Sequence, residues 1–125
     1  MKIMFICTGN TCRSAMAEGY AKKIVKEKNL NIDIYSAGIF ALTGEHASYN
    51  SIAVMKEYDV DLILHTSTSL QDSNIQDMDL ILCATQKHKN ALLLNYNNLK
   101  GKIFTIKEYA KLDSNGTDPD IKDPW

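Results

Sequence analysis

The chain has 125 residues, a formal net charge of −1, 45% hydrophobic residues and 23% charged ones. That is room for a single domain over 1–125 with its own core, and there is no global basic field, so nucleic acid is not an expected partner. No apolar stretch approaches the roughly 18 residues that span a bilayer, so no membrane partner is expected. The apolar run after Lys2 is cut short by Asn10 and Arg13, too soon for a signal peptide, and a cytoplasmic protein is the expectation.

Lys2-Ile3-Met4-Phe5-Ile6 is short, apolar and followed by a glycine-containing turn, the pattern of a buried strand. Ser14 to about Lys28 predicts a helix: Ala17, Tyr20, Ala21, Ile24 and Val25 fall at helical spacing, and Glu18 and Lys22 form a favourable pair four apart. Ile32 to Tyr35 alternates and ends at Ser36-Ala37-Gly38, a second strand and turn. Ala47 to Tyr58 predicts a second helix with Ile52, Ala53 and Met55 facing inward, and Val60 to Leu64 a short extended segment.

Asp79 to Ala84 is nearly all apolar after its first residue, as a strand buried on both faces of a parallel sheet would be. Gln86 to about Asn95 predicts a helix, Lys102 to Ile106 the last strand, Lys107 to Lys111 a helical turn, and Asp113 to Asp120 loop chemistry. Strands alternating with helices imply an α/β fold: an open four-stranded parallel sheet with helices on both faces. Ligands bind such sheets beyond the carboxyl ends of the strands.

The segment that carries chemistry, Cys7-Thr8-Gly9-Asn10-Thr11-Cys12-Arg13-Ser14, joins the first strand to the first helix. A loop at a helix N-terminus points several backbone N–H groups at one spot and suits an anion. Gly9 is expected to allow a positive φ and close approach of that anion. Arg13 offers a planar fork for a tetrahedral oxyanion. Cys7 sits at the mouth of this electropositive nest, which favours a thiolate, and a thiolate under a bound phosphoryl group is a nucleophile aimed at phosphorus. Asn10 and Ser14 are the right types to brace the loop. The plain alternative is that Cys7 ends a strand as a small hydrophobe. Matching Gly9, Asn10, Cys12 and Ser14 as well by chance is rarer than roughly one in a million at average composition.

The three cysteines, Cys7, Cys12 and Cys83, and the scattered His46, His65 and His88 close no metal-ligand set, and no cofactor is implied. His65 and His88 read as structural hydrogen-bonding residues and Cys83 as core.

The segment from Cys7 to Glu18 resembles the phosphate loop of the low-molecular-weight protein tyrosine phosphatase family. The resemblance continues through Ser36-Ala37-Gly38, His65-Thr66-Ser67, Asp79-Leu80-Ile81-Leu82, Lys102-Ile103-Phe104-Thr105 and Asp123-Pro124-Trp125. The wording is most similar to the bacterial protein arginine phosphatases in Thr11 and Phe40. The resemblance implies a metal-independent phosphatase acting on phosphorylated proteins and releasing inorganic phosphate. Cys7 would form a phosphocysteine intermediate, with Arg13 and the loop from Thr8 through Gly9, Asn10, Thr11 and Cys12 holding the phosphoryl oxygens. Asp123 would serve as general acid and then base. Asp118-Pro119 is a competing Asp-Pro pair, but it lacks the aromatic neighbour that Trp125 gives Asp123. A carboxyl held beside a phosphate anion keeps its proton to higher pH, which suits a donor.

Thr11, Phe40 and Trp125 are the residues expected to set specificity. Tyrosine-directed members usually carry a larger aliphatic residue at the position of Thr11, so protein phosphoarginine is the favoured substrate and phosphotyrosine the alternative. Thr11 is otherwise a tolerated small loop residue, and Phe40 plain core. Ser36 is expected to brace the loop. Cys12 either protects Cys7 as a reversible disulfide or is a packing thiol. A thiol-dependent arsenate reductase is the second alternative, but its relay needs two further cysteines, and only Cys83 lies downstream. A phosphate-binding module without turnover is a third. Ala15 stands where the family usually has Pro, a change a helix start tolerates. Family members continue past Asp-Pro-aromatic into a C-terminal helix, so the chain reads as truncated. The surface such a helix would cover implies a monomer or weak self-association.

Overall fold

The computed structural model describes residues 1–111 and 120–122. Four parallel strands, β1 (Lys2–Cys7), β2 (Asp33–Gly38), β3 (Leu80–Cys83) and β4 (Ile103–Thr105), form one sheet in the order β2-β1-β3-β4. Four helices, α1 (Arg13–Glu27), α2 (Tyr49–Lys56), α3 (Gln86–Asn95) and α4 (Ile106–Ala110), alternate with them. The expected open parallel α/β fold is present.

The period of two along β1 sorts its side chains. Met4 and Ile6 join Ile81, Cys83 and Ile103 in the main core, and Leu92 of α3 closes that face. On the opposite face Phe5 pairs in register with Ser36 and with Leu82, which pairs with Phe104. Residues of α1 meet Cys7 and Ser36 there, while Tyr109 of α4 lies 5.3 Å from the Phe104 ring. β3 is buried along its whole length, as its unbroken apolar run requires. A second cluster of Ala47, Met55, Val60 and Leu62, with Met16 and Ile52 packed on it, fixes α2 to α1.

Two expectations are corrected. Val60 to Leu64 forms no strand: Val60 and Leu62 are buried as anchors under α1 and α2, and Ile63 and Leu64 turn outward. In α2 the inward position beside Met55 belongs to Ser51, while Ala53 is exposed, because Ser48 caps the helix and bonds the Ser51 hydroxyl at 2.7 Å. No described helix is long and apolar enough to cross a membrane.

Candidate active site

Cys7 is the last residue of β1 and is buried, with its Sγ 2.9 Å from Ser14 Oγ in the first turn of α1. Between them the chain must reverse, and the left-handed residue is Asn10, at φ 58°. Gly9 does not take a positive φ, and a Cβ there would meet only Thr11 Oγ1 at 3.7 Å. The expectation of a positive φ at Gly9 is thus overturned. Asn tolerates the left-handed region better than most residues, and here its side chain does what a glycine could not.

Asn10 is completely buried and ties four parts of the chain together. Its Nδ2 donates to Ser14 Oγ at 2.7 Å and to Ser36 Oγ at 2.8 Å. Its Oδ1 accepts the Thr68 N–H at 2.8 Å, and its carbonyl lies 2.7 Å from His65 Nε2. Because Ser14 Oγ accepts from Asn10, its own proton is free to donate to Cys7 Sγ. Ser36 Oγ donates onward to Glu18 Oε1. Glu18 also pairs with Lys22 at 2.7 Å and stands 3.5 Å from His65 Nδ1.

Burial raises the pKa of Glu18, but hydrogen bonds from His65, Lys22 and Ser36 outweigh it and hold the carboxyl at about 2. Burial lowers that of His65, and the Glu18 carboxylate and the Asn10 carbonyl overcome it, leaving the ring's pKa raised. The loop floor is thus an ionised, fully bonded network.

Ser36-Ala37-Gly38, expected as a turn, is the end of β2, paired with Phe5, Ile6 and Cys7, and its glycine has a steric cause. A Cβ at Gly38 would lie 2.5 Å from the Thr8 carbonyl oxygen and 2.9 Å from the Asn10 nitrogen. Only glycine lets β2 pass this close to the loop.

The rim differs. Side chains cap α2 (Ser48), α3 (Thr85) and α4 (Thr105), the last two as reciprocal capping boxes. At the start of α1 the N-cap residue, Cys12, makes no side-chain cap bond of its own, and no acidic residue stands in the first turn. Among the described residues, no backbone hydrogen bond is donated by Gly9, Asn10 or Thr11. Those N–H groups and the helix terminus form the kind of site that takes an oxyanion.

Arg13 Nη1 donates to the Ile121 carbonyl at 3.2 Å. The 120–122 segment is held in turn by the Ile121 N–H on the Ala84 carbonyl at 2.7 Å and by Asp120 Oδ1 on the Gln86 N–H at 2.7 Å. A cleft of about 420 Å³ opens here, lined among others by Thr8, Arg13, Ile39, Phe40 and His88.

The structure brings together Cys7, the loop from Thr8 to Arg13, Ser14 and Ser36. Phe40 is 83% exposed on the cleft, which removes the core reading of it. Thr11 is half-buried, and its carbonyl accepts the Ser48 N–H. Cys12 is in no disulfide, and its Sγ donates to Ser48 Oγ at 3.2 Å. Cys83 lies in the core, where burial pushes its thiol up to about 12. Asp123, Trp125 and the competing Asp118-Pro119 pair lie outside the described residues. Among the described residues, no group of three or more His, Cys, Asp or Glu side chains is arranged to hold a metal.

His65 makes structural hydrogen bonds as expected, but that it supports this loop, together with Glu18 and Thr68, was not legible in the sequence. Glu18 read only as a helix-surface partner of Lys22. The available signal was a carboxylate on the first-helix side of the nucleophile and a histidine in an otherwise apolar and hydroxyl-rich stretch.

The low molecular weight phosphotyrosine protein phosphatase family matches residues 2–125. A protein-arginine-phosphatase of Bacillus subtilis is 36% identical over 125 residues, 100% of this chain and 80% of the relative. A low molecular weight protein-tyrosine-phosphatase PtpB of Staphylococcus haemolyticus is 37% identical over 127 residues, 100% of this chain and 82% of the relative. An arsenate reductase of Oceanobacillus iheyensis is 42% identical over 89 residues, 70% of this chain and 60% of that one. The solved YwlE arginine phosphatase mutant with a phosphorylated active-site serine superposes with a TM-score of 0.89 at 35% identity, covering 100% of this chain and 79% of that one. A strand that ends in Cys7, a loop that leads into α1 and a match that runs over residues 2–125 agree: this chain belongs to the low molecular weight phosphotyrosine protein phosphatase family.

Proposed function

We propose that this chain is a cytoplasmic, metal-independent protein phosphatase whose favoured substrate is protein phosphoarginine. The observation that carries the phosphatase reading is Cys7 at the end of β1, bonded to Ser14 in the first turn of α1 across a loop that ends in Arg13. Cys7 Sγ attacks phosphorus while the P–N bond to the substrate breaks. Arg13 and the loop N–H groups take the charge on the equatorial oxygens. Asp123 gives its proton to the leaving nitrogen. It then takes one from the water that cleaves the S–P bond, releasing inorganic phosphate and restoring the thiolate. A reversible disulfide with Cys12 would protect Cys7; the packing reading of Cys12, whose Sγ donates to Ser48 Oγ, stands beside it.

The full-length likeness to a protein-arginine-phosphatase supports the arginine assignment, as does Thr11, whose hydroxyl suits a guanidinium N–H and leaves less apolar wall for a phenyl ring. The equally full-length likeness to a tyrosine phosphatase favours phosphotyrosine as the second reading. Arsenate reduction is disfavoured, because Cys83 is sealed in the core with its thiol held up at about 12, far from what a thiolate relay needs. The test compares kcat/KM on phosphoarginine and phosphotyrosine proteins, with Cys7→Ser as the blank. Better turnover of phosphoarginine is expected, and equal or better turnover of phosphotyrosine would remove the arginine assignment. Thr11→Ile should move the ratio several-fold toward phosphotyrosine.

A further inference from the structure

Thr8 follows the nucleophile directly and is exposed, and its Oγ1 lies 2.9 Å from His88 Nε2. Which atom donates is decided at the far side of the ring. His88 Nδ1 is 3.2 Å from the Thr85 backbone nitrogen, whose N–H can only donate. Thr85 Oγ1, 3.0 Å from the same Nδ1, already accepts the His88 backbone N–H at 3.2 Å, so its own proton also faces Nδ1. Nδ1 is therefore a lone pair and the ring proton sits on Nε2. Nε2–H donates to Thr8 Oγ1, and the proton of the Thr8 hydroxyl is turned away from His88.

The ring stays neutral. Burial and then the positive charge of Arg13 push its pKa down to about 4, with Asp120 acting weakly the other way. A second proton would have to enter at Nδ1, against the Thr85 N–H. Beyond Thr8 lies the cleft that Arg13, Phe40 and Lys87 also line.

We propose that His88 is a positioning residue for phosphoryl binding: by donating to Thr8 Oγ1, it commits the Thr8 hydroxyl to donate into the cleft, to a phosphoryl oxygen of the group bound over Cys7. This rests on the phosphatase reading above. A phosphoryl oxygen is the acceptor that every substrate of that reaction presents, whereas a leaving guanidinium offers mainly donors. The contact therefore adds phosphate affinity without choosing between phosphoarginine and phosphotyrosine.

Inorganic phosphate is the probe, read as a competitive inhibition constant. Thr8→Val and His88→Ala should each raise that constant about three- to tenfold, the range of one hydrogen bond. The Thr8→Val/His88→Ala double variant should be no worse than Thr8→Val alone. His88→Gln, which keeps an N–H at similar reach, should restore most of the loss, and the phosphoarginine to phosphotyrosine ratio should hold throughout. Additive losses in the double variant, or a Thr8→Val that binds phosphate as the wild type does, would overturn the inference. Should His88→Ala fail to fold, 15N chemical shifts of the wild-type ring decide: a neutral, Nε2-protonated tautomer at pH 7 supports it, and an Nδ1-protonated or cationic ring overturns it. A wild type that phosphate does not inhibit would strike the phosphatase reading itself, which additivity leaves standing.

Discussion

The floor and the rim of the phosphate loop are built by opposite means. In the floor, Asn10, Ser14 and Ser36 are buried, and no described buried side-chain nitrogen or oxygen lacks a hydrogen-bond partner. On the rim, Thr8 and Phe40 are exposed and Arg13 and Thr11 half-buried, and the described contacts of each are few. The floor is made of protein–protein bonds and sets the shape of the loop. The rim keeps donors in reserve for a ligand. Substitutions should therefore divide into those that move stability and those that move rate.

The largest effect belongs to the rim. Arg13→Ala should lower kcat/KM by about a thousandfold, the scale of losing a preorganised charge in the transition state. Its urea midpoint should move far less than its rate, since none of the described bonds of the buried Asn10 network is made by Arg13. A large loss of stability would place Arg13 in the floor and break the comparison.

Asn10→Ala comes next and should do the reverse first. It removes two donated bonds and one accepted bond inside a buried network, so unfolding by urea should show a loss of about 3 kcal/mol. Activity should fall with it as the loop loses its shape. Asn10→Gly keeps the left-handed backbone but not the bonds. If it were as stable as the wild type, the positive φ rather than the network would be what matters.

The smallest effect is the pH dependence of the floor. Glu18 holds its proton only below about 2 when folded, against an ordinary 4.5. Its contribution is complete above about pH 4.5 and is lost as the pH falls toward 2. The folded pKa of His65 is raised. Its contribution is complete below its ordinary value and is lost as the pH rises through the raised one. Stability should therefore be highest between those edges. Glu18→Gln should cost about 1–2 kcal/mol there and flatten both edges, as read from urea midpoints against pH. An unchanged profile would show that the Glu18–His65 pair carries no net stability.

The same division decides what was legible in the sequence. The loop from Cys7 to Ser14 is contiguous, so its chemistry could be read from residue types and from the strand before it. The sheet was legible from the unbroken apolar run of β3 and the regular alternation of strands and helices. The supports were not. His65 reaches Asn10 across 55 positions and His88 reaches Thr8 across 80, and no local pattern encodes such pairs. Gly9 and Asn10 are both turn residues. What assigns the left-handed position to Asn10 is the side-chain network waiting for it, which only the folded sheet assembles. Ser51 displaced Ala53 from the inner side of α2 for a similar reason: a cap at Ser48 rotates which residues face α1.

The central claim is that Cys7 carries the phosphoryl group between substrate and water. Quench in the first turnover with a phosphorylated protein into an alkaline denaturant, followed by mass spectrometry at neutral to alkaline pH of the peptide containing residues 3–22, tests it most directly. The account predicts one phosphoryl group on Cys7, formed and lost at rates compatible with steady-state turnover, and no turnover in Cys7→Ser enzyme, where any phosphoryl group caught on the serine, as in the solved arginine phosphatase mutant, stays there. Phosphate release without any phosphoryl group on Cys7, or turnover that survives Cys7→Ser, would contradict it.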